Sequence, residues 1–150
     1  MGKSTNCSEC GTLWENGETC EDHFHQMLYW EAENPSYGQV HHLAVLSYYL
    51  QHPSLYSPEG LDAAKRLLAE FLVDQVTPQE ARKQMLAKLR ADGRKPKIKG
   101  TKDAKGSYTG QMLWSMTARD VVTGGVANYC ENVRKWAQVI FEKLKATGNY

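Results

Sequence analysis

Three of the four cysteines fall within the first twenty residues, spaced Cys7-x2-Cys10-x9-Cys20. No feature constrains this chain more, because an apolar core needs no such cluster whereas a thiophilic metal does. Disulfide frameworks belong to oxidising compartments. A redox C-x-x-C sits where a strand meets a helix in a βαβ pattern, and no such pattern surrounds Cys7. Gly11 follows Cys10 and permits the tight turn of a metal knuckle. The expectation is one structural Zn2+ per chain, with ordinary buried thiols as the alternative.

Beyond residue 20 the periodicity is helical. Phe24, Met27, Leu28 and Trp30 share a face of a helix over 21–34, which Pro35 ends. A second helix over 37–51 places Val40, Leu43, Ser47 and Leu50 on one face and His41, Val45, Tyr48 and His52 on the next, and Pro53 closes it. The short connection makes the two an antiparallel hairpin. Ser57-Pro58 and Thr77-Pro78-Gln79-Glu80 are helix starts, with a capping side chain before proline. Ala81, Met85 and Leu89 mark the apolar side of the helix that Thr77 opens. Thr117-Ala118-Arg119-Asp120 is a further capping box. Tyr129, Val133, Trp136, Ala137, Ile140 and Leu144 line the last helix, over 127–146. Trp114 reads as a core anchor.

The predicted class is all-α: a five- or six-helix bundle with an N-terminal Cys-rich zinc knuckle and a long basic loop. One domain is expected over 1–150. Within it lie the knuckle (1–20), the hairpin (21–53), a helical pair (57–92), the loop (93–116) and the C-terminal helices (117–146).

A closed zinc site requires a fourth donor. Spacing proposes His23, because Cys20-x2-His23 imitates half of a zinc finger. Topology proposes His52, since an antiparallel second helix returns its end to Cys20; this places His52 ahead, with Cys130 third. His41 lies eleven residues before His52, about 16 Å along a helix, too far to share one ion. It faces instead the far end of the first helix, where Glu31 and His41 form a possible buried polar pair. His23 and His25, beside Glu21 and Asp22, are expected in solvent.

Several segments also resemble a family of bacterial proteins of unknown function. They are Cys7-Ser8-Glu9-Cys10-Gly11, then Cys20, Glu33-Asn34-Pro35-Ser36-Tyr37 and Val40-His41-His42-Leu43-Ala44-Val45. Tyr48-Tyr49-Leu50-Gln51-His52-Pro53 and Arg134-Lys135-Trp136-Ala137 complete the set. The family pattern has no histidine at the place of His23, so the resemblance implies His52 as the ligand. It brings no reaction with it.

The formal net charge of +1 conceals an asymmetry: residues 1–40 carry one lysine and seven acids, residues 88–105 eight bases and two acids. Arg94, Lys95, Lys97, Lys99, Lys102 and Lys105 are the candidate polyanion or nucleic-acid contacts. The basic run contains no aromatic residue of the kind that single-strand binders interleave. No nucleophile motif, phosphate loop or H-E-x-x-H is present. No apolar run reaches the roughly 18 residues of a membrane span. The N-terminus lacks a signal-peptide pattern, and Asn6 stands where myristoylation needs Ser or Thr. A cytoplasmic, non-enzymatic binding or regulatory module is the leading expectation. The alternatives are a metal-dependent hydrolase using the zinc with Glu31 and His41, and a polyanion binder acting through residues 88–105.

Overall fold

The computed structural model describes residues 5–93, 97–110 and 112–150. Among them the chain is all-α, with six α-helices and one two-stranded ribbon. No described helix is long and apolar enough to cross a membrane. The chain divides into two compact units, Met1–His52 with Tyr108–Tyr150, and Pro53–Ser107.

The first unit opens with β1 (Thr5–Asn6) and β2 (Leu13–Trp14), antiparallel with Thr5 opposite Trp14. The knuckle expected over 1–20 thus contains a short ribbon, which the sequence does not announce because two residues per strand carry no alternation. α1 (Cys20–Glu33) starts at a capping box in which Thr19 and Asp22 satisfy each other's backbone N–H. It ends at Asn34, extended ahead of Pro35. Residues Pro35–Val40 form a 3-10 turn, opened by the Tyr37 N–H donating to the Asn34 carbonyl at 2.8 Å. α2 (His41–Leu50) therefore begins four residues later than its apolar spacing predicts.

α5 (Ala118–Thr123) follows the Thr117–Asp120 capping box, and α6 (Tyr129–Ala146) closes the unit. α6 packs on α2 and α5, and α5 also packs on α1. Tyr129, Val133, Trp136, Ala137, Ile140 and Leu144 of α6 are wholly buried. Burying each large apolar side chain contributes about 1.5–3 kcal/mol. One polar group sits among them without cost: Gln51, wholly buried, accepts from Trp136 Nε1 at 3.1 Å and donates to the Met116 carbonyl at 2.7 Å. Trp114 is not a core anchor; it is half-buried, its ring edge-on to Tyr108 at 6.1 Å.

The second unit holds α3 (Pro58–Leu72) and α4 (Pro78–Asp92). The Ser57 and Thr77 hydroxyls accept from Gly60 N at 2.9 Å and Glu80 N at 3.1 Å, as capping requires. α3 buries Gly60, Leu61, Ala64 and Leu68, whereas α4 buries nothing and leaves Met85 exposed. The basic segment after α4 is irregular but tied down. Ser57 N donates to the Ile98 carbonyl, Gly100 N to Leu55 and Gly106 N to Tyr56, all at 2.8–2.9 Å. Gly100 is required there, because a Cβ would run into the Ser54 and Tyr56 carbonyl oxygens. Lys97, Lys99, Lys102 and Lys105 project from this strap, all exposed. Arg94 and Lys95 lie outside the described residues.

Candidate metal centre

The β1–β2 ribbon supplies two of the sulfurs. Between its strands Gly11 adopts φ +79°, Gly11 N donates to the Cys7 carbonyl at 3.0 Å, and Cys7 N donates to Thr12 at 2.8 Å. This knuckle aims Cys7 and Cys10 inward, and the Cys10 N–H points at Cys7 Sγ at 3.5 Å. Cys20 is the first residue of α1, where the helix dipole favours a thiolate. Trp14 Nε1 donates to Cys20 Sγ at 3.3 Å. His52 arrives from just beyond α2, with Phe24 of α1 stacked on Tyr48 of α2 at 4.3 Å to hold the two helices in register.

One donor atom from each of Cys7, Cys10, Cys20 and His52 lies within 4.8 Å of the other three, and all four residues are buried. Cys10 and Cys20 Sγ stand 3.4 Å apart. Sulfurs on a tetrahedral zinc at about 2.3 Å would be separated by about 3.7 Å, whereas a disulfide needs about 2.05 Å. The cysteines are free. The decisive atom is on the histidine. His52 Nδ1 gives its hydrogen to the Tyr48 carbonyl at 2.6 Å, which leaves Nε2 as a bare lone pair. That Nε2 is buried and has no hydrogen-bond partner. Buried polar atoms are almost always satisfied, and a metal-ligating histidine almost always gives its other N–H to a backbone or carboxylate oxygen. The residues present fit a thiophilic cation.

The electrostatics agree. Hydrogen bonds from Cys10 and Cys20 push the Cys7 thiol far down, while those with Cys10 and Cys7 push Cys20 up, since three adjoining thiolates cannot all be charged without a cation. Burial works against a proton on His52, but the adjacent Cys10 and Cys7 sulfurs and the Tyr48 carbonyl outweigh it and raise its pKa to about 10, so Nε2 is the position for which a proton and a cation compete.

His23 is not among the donors brought together. It is buried at 6% exposure rather than solvated, which lowers its pKa. His25 is exposed beside Glu21. Cys130 also lies outside the cluster; Gln39 Nε2 approaches its sulfur at 3.8 Å.

At the opposite ends of α1 and α2, Glu31 Oε1 accepts from His41 Nδ1 at 2.6 Å. Only the carboxylate is enclosed: the side chains are 9% and 53% exposed, so the buried pair expected from sequence is half a buried pair. The reason is a third member that sequence reasoning missed. The phenol of wholly buried Tyr129, from the start of α6, donates to Glu31 Oε2. Burial and the Glu31 contact push that phenol pKa up, which keeps it a donor. No local signal announces this bond, which spans 98 positions of sequence.

Fold and site together define a helical protein with an N-terminal cluster of three cysteines and one histidine at metal-binding distance. Its membership can be stated more closely. The chain belongs to a family of unknown function, DUF5946, which matches residues 5–145. No curated protein and no solved structure matches it.

Proposed function

We propose that the chain is a non-enzymatic binding or regulatory module whose first unit is built around one structural Zn2+ on Cys7, Cys10, Cys20 and His52. The buried, partnerless Nε2 of His52 among three sulfurs carries the reading. Zinc suits it best: thiolate and imidazole are its usual donors, and a set of three cysteines and one histidine fills all four positions, leaving none for a reacting water. When bound, the ion supplies cohesion, fastening the ribbon, the start of α1 and the end of α2. The protein's own part is to hold the four donors. The Tyr48 carbonyl fixes the histidine tautomer, Gly11 turns the knuckle, and Trp14 orients Cys20.

Geometry speaks against the hydrolase alternative. Glu31 lies eleven residues along α1 from Cys20, about 16 Å, so the ion and the Glu31–His41 pair would not meet at one bond. The bacterial origin and cytoplasmic setting expected from sequence remain part of the proposal. Metal analysis of protein purified without added metal tests the reading. One zinc per chain is expected, lost in both Cys7→Ser and His52→Ala; no metal in the wild type overturns it.

A further inference from the structure

The second unit holds a cavity of about 460 Å³, lined by both of its helices and by the strap. Small-molecule sites span roughly 300–1,000 Å³ and are walled by apolar side chains with a few polar groups among them. The sequence explains the walls. Met85, Lys88, Leu89 and Asp92 stand at i, i+3, i+4 and i+7 of α4, which makes them one stripe, and Ala63 and Arg66 face them from α3. Facing stripes of a helical pair ordinarily bury each other, yet Met85 is 56% exposed and Ile98 of the strap 42%. The strap end of the cavity is fixed by backbone contacts. The Ser57 hydroxyl donates to the Lys97 carbonyl, and Ser57 N donates to the Ile98 carbonyl at 2.8 Å. Gly60 makes room for this, because a Cβ there would stand 2.4 Å from the Ile98 carbonyl oxygen.

The charges on the walls are sorted by position. Residues 73–77 turn the chain between α3 and α4, so the helices run antiparallel and the cavity has two different ends. Glu59 and Asp92 lie at the end away from the turn, Arg66 and Lys88 nearer to it. Arg66, Lys88 and Asp92 have no ion-pair or hydrogen-bond partner among the described residues. Glu59 occupies the first turn of α3, where the helix dipole favours an acid. Asp92 is placed against the dipole: it is the last residue of α4, where the carbonyls already carry partial negative charge. That end of the cavity suits a cation, and the other suits an anion.

We propose that this cleft binds a short apolar peptide. Its carboxylate meets Arg66 and Lys88, its ammonium meets Asp92, and its side chains cover Met85, Leu89 and Ile98. The lengths agree. Glu59, at the Asp92 end, lies seven residues from Arg66 along α3, about 10 Å. An extended chain of three residues spans about 10–11 Å. A fatty acid would set an apolar tail against Asp92, and an apolar cation would leave both bases unpaired. The cleft shares no residue with the metal cluster and stands independently of the zinc reading.

Methyl signals of the full chain labelled with 13C-methyl methionine report on the cleft, with Met85 assigned through Met85→Leu and trileucine as the probe. Trileucine should shift the Met85 methyl saturably. N-acetyl-trileucine, which lacks the ammonium, and trileucine amide, which lacks the carboxylate, should each bind about fivefold more weakly or worse. Arg66→Gln combined with Lys88→Gln should weaken the free peptide as much and the amide little. Asp92→Asn should likewise weaken the free peptide and spare the acetylated one. All three residues are exposed, so these substitutions leave the packing intact. A Met85 signal unmoved by trileucine overturns the proposal. Equal binding of the blocked peptides, or by the charge variants, overturns it too, because apolar contact alone would then account for the affinity. Decanoate binding as tightly as trileucine would make the ligand an anionic amphiphile and overturn it as well.

Discussion

At one end of the α1–α2 pair, His52 gives its Nδ1–H to the Tyr48 carbonyl; at the other, His41 gives its Nδ1–H to the Glu31 carboxylate. Both rings are thereby locked in the same tautomer, and what surrounds the free nitrogen decides the rest. Nε2 of His52 is buried among sulfurs without a hydrogen-bond partner, an arrangement stable only when a cation or a shared proton fills the gap. Nε2 of His41 faces outward on a ring that is half-exposed. The difference teaches that an oriented histidine has no single meaning. Enclosure among soft donors suits it to a metal, whereas partial exposure leaves the ring open to solvent.

The comparison can be broken most severely at the sulfur end. Cys20→Ser removes the donor that joins ribbon to helix, and structural zinc sites carry apparent binding free energies of about 10–16 kcal/mol. Metal should be lost and the first unit should melt at least about 10 °C lower. Amide exchange would accelerate first in the β1–β2 ribbon and the start of α1. A melting temperature matching the wild type would mean that apolar packing alone holds this end.

Tyr129→Phe acts at the other end and should cost less. It leaves Glu31 Oε2 without its donor inside an enclosed site, a loss of about 1–3 kcal/mol in denaturant unfolding. Zinc content should stay at the wild-type value, which would establish that the two ends are energetically separate. A fall in metal content on this substitution would instead show them coupled through α1 and α2.

The smallest effect concerns pH. His23 has its pKa lowered, first by burial, so it is held neutral in the fold. Its contribution is fully present above the unfolded value near 6.5 and is lost as pH falls through the lower folded value. Stability measured by urea titration should therefore decline less below pH 6.5 in His23→Gln than in the wild type. Protonation of metal ligands adds a parallel acid loss in both proteins, so the difference between the two curves isolates His23.

Much of the fold was legible because its signals are local. Ser57, Thr77 and the Thr117–Asp120 pair cap the helices they were expected to start, and Pro35 and Pro53 follow the helices they were expected to end. The periodic face of α6 is its buried face. Where the reading missed, the cause was spatial. His23 sits among charged neighbours in sequence yet is buried in the fold. α4 has apolar residues at helical spacing and buries none of them. The basic loop is strapped by hydrogen bonds to residues some forty positions earlier, contacts that leave no trace in local composition.

By itself, then, the sequence determined the helices, their ends and the presence of three thiol donors within fourteen residues, because capping, proline stops and donor type act over a turn or two. Tertiary structure decided which histidine meets the sulfurs and how Gln51 and Trp136 satisfy each other in the core. It also decided that Tyr129 reaches Glu31 from the start of α6. The physical reason is that a buried polar atom must find its partner in space, and the chain can bring that partner from any distance along itself.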